Sequence, residues 1–184
     1  MISINTSLEA VSDLEIAIVG MSGRFPGANS VDAFWENLRG KVESISFFSE
    51  QDLVDLDIER SALENSEYVK AASILEDIES FDASFFGYSP IEAEFMDPQN
   101  RLFMECAWEV LEKAGYDPET YEGLIGVYGG VSTNTYFLSN VYKKFDLTDI
   151  SNIFAINKDF LSTSISYKLN LKGPSVSVQT YCST

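Results

Sequence analysis

A chain of 184 residues with 45% hydrophobic and 13% aromatic side chains can bury a core, and its length suits one domain or a large part of one. Its 29 acidic and 12 basic residues leave a net charge of −17, which opposes binding to nucleic acid or to anionic membrane surfaces. The chain has no histidine, so any imidazole base or ligand must come from elsewhere, and Cys106 and Cys182 offer neither a disulfide framework nor metal-ligand spacing.

The charge is uneven: residues 1–140 carry 26 acids and 7 bases, whereas 141–184 carry 3 and 5. The acidic part reads as a solvated surface that favours solubility. No apolar run approaches the roughly 20 residues of a membrane-spanning helix. Met1–Asp13 lacks the basic start and apolar centre of a secretory signal, so a cytoplasmic protein is expected, with 1–13 as a linker or tail.

In chain order, the short apolar run at 14–19 predicts a buried strand that stops at Gly20. The following loop, Gly20-Met21-Ser22-Gly23-Arg24-Phe25-Pro26-Gly27, has the wrong glycine spacing for a dinucleotide fingerprint, and Pro26 sits where the phosphate-binding helix would run. Ser30 is an N-cap residue, Val31, Phe34, Trp35 and Leu38 recur at helical spacing, and Gly40 supplies a stop. An amphipathic helix is predicted at 31–39. Residues 43–82 hold twelve acids against Arg60 and Lys70 and read as a surface excursion with short helices, its end pinned by Phe81, Phe85 and Phe86.

Asp97-Pro98 opens the clearest helix, with a capping carboxylate and proline at the first helical position. Phe103, Cys106, Ala107, Val110, Leu111 and Ala114 form its expected apolar stripe, and Gly115 ends it. Arg101 with Glu105 and Glu109 with Lys113 are expected as i,i+4 pairs on its wet side. Cys106, inside the stripe, reads as a buried structural thiol. A strand is predicted at 124–128, a mostly helical stretch at 149–169, and a strand at 175–179 with Val176 and Val178 facing the core. Strands alternating with helices indicate an α/β layered fold, with the three strands in one sheet.

Cys182 follows the last strand within Val178-Gln179-Thr180-Tyr181-Cys182-Ser183-Thr184. At a strand-to-helix bend a helix N-terminus stabilises a thiolate, and backbone N–H groups can hold an oxyanion. A cysteine among small polar residues is not by itself a mark of catalysis.

Several separated motifs occur in one register: Ile16-Ala17-Ile18-Val19-Gly20-Met21 with Gly23-Arg24-Phe25-Pro26-Gly27, then Phe34-Trp35-Glu36-Asn37-Leu38, then Phe81-Asp82-Ala83-Ser84-Phe85-Phe86-Gly87-Tyr88-Ser89-Pro90. Met96-Asp97-Pro98-Gln99, Arg101-Leu102, Ala107-Trp108-Glu109, Gly126-Val127-Tyr128-Gly129-Gly130 and the run from Ser166 to Ser175 follow in order. Together with Val178-Gln179-Thr180 and Cys182-Ser183, the stretch 14–184 resembles the N-terminal part of modular polyketide β-ketoacyl synthases. The resemblance implies the N-terminal half of a thiolase-like fold and an enzyme of decarboxylative Claisen condensation, with Cys182 as the acyl-carrying nucleophile. It also implies substrates borne on the phosphopantetheine arm of an acyl carrier protein, no directly bound cofactor or metal, and a homodimer.

The family's two catalytic histidines and its catalytic lysine region lie beyond the cysteine, so condensation by these 184 residues alone is not expected. Ser164 stands where many relatives have arginine, and Tyr181 where alanine or phenylalanine is frequent, which marks Tyr181 as a residue shaping the pocket. The alternative is a catalytically inactive chain used for dimerisation or docking.

Overall fold

The computed structural model of the chain describes residues 15–56, 58–142 and 157–180. The first helix, α1 (Val31–Gly40), starts where its sequence dictates: the Ser30 side chain accepts a hydrogen bond from the Ala33 amide. Gly40 still belongs to the helix, and Lys41, in the left-handed region at φ 54°, makes the stop. The Phe25-Pro26-Gly27-Ala28 turn packs on α1. Gly27 takes φ +68°, the Phe25 and Phe34 rings stack at 4.1 Å, and the Asn37 amide donates to the Gly27 carbonyl at 2.9 Å. A proline followed by a residue of positive φ is the requirement of a type II turn, which explains the Pro-Gly pair.

The acidic excursion contains strand β1 (Ser46–Phe47), helices α2 (Glu50–Asp55) and α3 (Arg60–Leu63), and strand β2 (Ala71–Ala72), which pairs antiparallel with β1. Helix α4 (Pro90–Phe95) and the long α5 (Pro98–Ala114) follow. A reciprocal Ser89–Glu92 box caps α4. Asp97 caps α5 with Pro98 in its first turn, and Gly115 closes α5 at φ +75°. Strand β3 (Val127–Gly129), a π-helical turn at Phe137–Val141, a 3₁₀ turn at Lys158–Phe160, helix α6 (Leu161–Lys168) and strand β4 (Ser175–Ser177) complete the order.

β3 and β4 run parallel, with Val127, Tyr128 and Gly129 opposite Ser175, Val176 and Ser177. Parallel neighbours need a long crossover, and α6 lies within it, packed against both strands. The core gathers here: Phe86, Met104, Val127, Val131, Leu161, Ile165 and Leu169 are buried together. Phe81 stacks on the buried Phe86, so these two form the expected aromatic pin, whereas Phe85 meets Phe86 and Trp108 edge-on but is 54% exposed.

Several expectations are corrected. Residues 15–19 form no strand, and Ile16 and Ile18 are 94% and 82% exposed, because no described strand pairs with them. Leu14 lies outside the described residues, as does 149–156 of the helical stretch expected at 149–169. The strand expected at 124–128 is shorter and lies at Val127–Gly129. On β4 the valines point away from the core: Val176 and Val178 are exposed while Ser175 and Ser177 turn toward α6. On α1, Trp35 and Leu38 are exposed, and only Phe34 has its stacking partner. No helix among the described residues is long and apolar enough to cross a membrane.

Candidate active site

The strand that leads toward Cys182 is held on one side by backbone pairing. The Gly173 amide donates to the Ile125 carbonyl at 2.9 Å, Val127 to Pro174 at 2.8 Å, and Val178 to Gly129 at 2.8 Å. At Gly173 an added Cβ would stand 2.5 Å from the Ile125 carbonyl group and the Gly126 amide, so only glycine fits where the two backbones converge. The pairing carries the chain to Val178 and on to Thr180, the last residue described. Tyr181, Cys182 and Ser183 lie outside the described residues.

On its other side β4 is held by serines. Ser162, fully buried, donates to the Val176 carbonyl at 2.9 Å. Ser175 donates to the Ser162 carbonyl at 3.0 Å and is hydrogen-bonded to the Ser166 hydroxyl. Ser177 donates to the Asp159 carbonyl at 3.1 Å. Small hydroxyl side chains let α6 and β4 approach closely while satisfying the polar groups between them. Sequence reading missed this ladder because alternation gives the period of a strand but not which phase faces inward. The serines of α6 were the available signal, since their spacing puts Ser162 and Ser166 on one helical face.

A second polar group binds the chain just after β3. Asp97, 4% exposed, accepts from the Gln99 amide N–H at 2.8 Å and from Gln99 Nε2 at 3.1 Å. Gln99 Oε1 accepts from both the Ser132 amide at 3.1 Å and the Ser132 hydroxyl at 2.8 Å. Arg101 is buried. It donates to the carbonyls of Met96 at 3.2 Å and Glu79 at 3.3 Å, and its guanidinium lies 5.6 Å from the centre of the Tyr136 ring. The expected pairing of Arg101 with Glu105 on a wet face is therefore overturned: backbone carbonyls and an aromatic face occupy the guanidinium.

Glu109 is likewise engaged elsewhere than with Lys113. Arg24 grips it through both guanidinium nitrogens, and Ser22 donates to it at 2.6 Å. These bonds hold the Glu109 carboxyl down at about 2, Arg24 first, against the opposing effect of burial. The contact docks the Gly20–Arg24 loop on α5. Gly20 lies so close that an added Cβ would stand 3.0 Å from the Val110 carbonyl. Cys106, one turn before Val110, is half-buried rather than buried. Burial pushes its thiol up against the opposing pull of Ser22 and Arg24, which disfavours the reactive thiolate.

A family model for the β-ketoacyl synthase N-terminal domain matches residues 13–184. The chain belongs to that family. It is 46% identical over 185 residues to a phenolphthiocerol/phthiocerol polyketide synthase of Mycobacterium tuberculosis, covering 95% of this chain and 12% of that protein. With polyketide synthase PksL of Bacillus subtilis it shares 40% identity over 177 residues, 92% of this chain and 4% of that protein. Among solved structures, ketosynthase twelve of the bacillaene polyketide synthase of Bacillus amyloliquefaciens superimposes with a TM-score of 0.78 at 37% identity, over 91% of this chain and 29% of that one. An oxazolomycin ketosynthase domain of Streptomyces albus gives 0.73 at 30% identity, over 90% of this chain and 30% of that one. The fold is thus the N-terminal part of the thiolase-like ketosynthase architecture, and the chain spans a small fraction of the relatives it matches.

Proposed function

We propose that residues 14–184 supply the nucleophile-bearing part of a polyketide β-ketoacyl synthase, with Cys182 as its acyl carrier and residues 1–13 as a linker or tail. The observation that carries this reading is the parallel β3–β4 pair, fixed by α6, which directs the chain to Thr180, two residues before Cys182. The named relatives are polyketide synthases and ketosynthases, which favours a condensing enzyme over an inactive docking module.

In the reaction, the Cys182 thiolate attacks the thioester carbonyl of an acyl group on a carrier protein's phosphopantetheine arm. The carbon–sulfur bond to the arm breaks, and the arm leaves as a thiol after taking a proton. A malonyl-type thioester on a carrier protein then loses carbon dioxide. The electron pair left on its α-carbon attacks the acyl-Cys182 carbonyl, the new carbon–carbon bond forms, and the Cys182 thiolate is expelled. Forming the thioester first divides one difficult step into two easier ones. With no histidine in the chain, groups that assist decarboxylation come from the remainder of the ketosynthase, and the working form is a homodimer that receives acyl carrier proteins.

The test joins this chain to the remaining ketosynthase sequence of a relative and supplies an acyl thioester of N-acetylcysteamine. Peptide mapping should place the acyl group on Cys182, Cys182→Ala should abolish loading, and carrier-bound malonyl should then yield β-ketoacyl product. The 184-residue chain alone should give no such product. Acylation confined to Cys106, or condensation by the 184 residues alone, would overturn the assignment.

A further inference from the structure

We infer that Gln99 is a positioning residue for the nucleophile strand, acting through the loop after β3 on the point where β4 hands the chain on toward Cys182. The inference rests on the reading of Cys182 as nucleophile.

The geometry fixes the side chain unambiguously. The Asp97 carboxylate can only accept, and the Ser132 amide can only donate, so a group between them must donate on one side and accept on the other. Gln99 does this with Nε2 toward Asp97 at 3.1 Å and Oε1 toward Ser132 at 3.1 Å and 2.8 Å. Thirty-three positions separate the two residues in sequence, so the contact is a tertiary tie rather than local capping.

Ser132 stands three residues after Gly129, whose carbonyl receives the Val178 amide at 2.8 Å. Between them Val131 is buried in the same core as Val127. Movement of the 130–132 loop therefore reaches the last β3–β4 hydrogen bond directly. Four residues beyond Ser132, Tyr136 is held by Arg101 from the start of α5 and by Glu94 from α4. Its ring covers the Arg101 guanidinium, and its hydroxyl donates to the Glu94 carbonyl at 2.7 Å. The start of α5 thus grips this segment twice, and Gln99 makes the grip nearer the strand.

The experiment uses the full 184-residue chain at low concentration, with amide hydrogen exchange at Val178 and the rate of Cys182 alkylation by iodoacetamide as readouts. Gln99→Met keeps the length but neither donates nor accepts as required. Losing three hydrogen bonds, two of them to Ser132, should lower Val178 protection about tenfold or more. Cys182 alkylation should depart from wild type by about threefold or more, and Cys106 alkylation should not. Gln99→Glu sets two carboxylates face to face, which should weaken the tie near neutral pH. At acid pH the pair shares one proton, restoring a donor toward Asp97 and an acceptor toward Ser132, so protection relative to wild type should recover.

That acid rescue would not follow from a merely space-filling role. Should Gln99→Met fail to fold, Ser132→Ala removes one of the two bonds to Gln99 and should reproduce part of the loosening. Wild-type protection and alkylation in Gln99→Met, loosening spread equally over all amides, or no acid rescue in Gln99→Glu would each overturn the inference. Failure of wild-type Cys182 to accept an acyl group would instead count against the proposed function and leave these readouts to judge the positioning role.

Discussion

Glu109 illustrates what single residues contribute and how far they can be read. Its place on a helix, four before Lys113, suggested a surface pair, yet it is taken by Arg24 and Ser22 from 85 or more positions away. A local spacing rule sees only neighbours on one helix, and the tertiary partner with better geometry wins. The consequence is measurable by pH. The carboxyl's ordinary value of 4.5 is lowered to about 2 in the folded chain, so its contribution to stability is complete above about 4.5 and disappears as pH falls through about 2. Comparing wild type with Glu109→Gln by urea denaturation should give a constant stability difference above about pH 5 that shrinks between 4.5 and 2. A difference independent of pH across that window would mean that the charge is not what Arg24 holds. Cys106 was more legible. Its position in an apolar stripe gave the direction of its thiol shift, although the Gly20–Arg24 loop leaves it half-buried.

At the scale of elements, the sequence was most informative where a local chemical rule decides the outcome. Asp97-Pro98 and Gly115 bound α5 as expected, and Ser30 begins α1, because caps depend on residues within a few positions. Strands were less legible. The run at 15–19 has strand composition, but a strand exists only when a partner supplies hydrogen bonds, and none of the described strands does. For β4 the period was right and the phase inverted, since partly buried serines of β4 that bond to α6 compete successfully with valines for the helix-facing side. Asp97 joins both kinds of information, being a local cap and also the anchor of Gln99. Asp97→Ala should therefore exceed an ordinary cap loss of about 1 kcal/mol, approaching about 2 kcal/mol, because Gln99 Nε2 loses its acceptor as well. Urea denaturation of the variant measures it, and a loss below about 0.5 kcal/mol would indicate that water replaces the carboxylate at both donors.

For the molecule as a whole, charge and apolar surface act in opposition. The net charge of −17 keeps copies of the chain apart, and it is concentrated before residue 141, where 26 of the 29 acids lie. The sequence around β3 and β4 lacks that protection, since no acid lies between Glu122 and Asp146 or after Asp159. Tyr128 and Val176, opposite one another in the register, and Val178 beyond them are all exposed on the face away from α6. Elsewhere Ile16, Ile18, Trp35, Leu38 and Phe47 are more than half exposed, and exposed large apolar side chains among the described residues number 23 against 13 buried apolar ones. A folded monomer tolerates scattered apolar exposure, but a contiguous sheet face rimmed by strand edges offers both hydrophobic area and unpaired backbone groups to a second chain. Long-range repulsion is screened over about 8 Å at physiological ionic strength, whereas burial of apolar area is not. The 184-residue chain should accordingly self-associate, and more so as salt rises, while the form joined to the rest of a ketosynthase domain should be a discrete homodimer. Sedimentation velocity at low and high salt distinguishes these outcomes. Val176→Lys with Tyr128→Lys, which places like charges directly opposite one another on the exposed face, should reduce association of the short chain. A monodisperse monomer of the 184 residues at high salt would show that the exposed face is not what limits solubility.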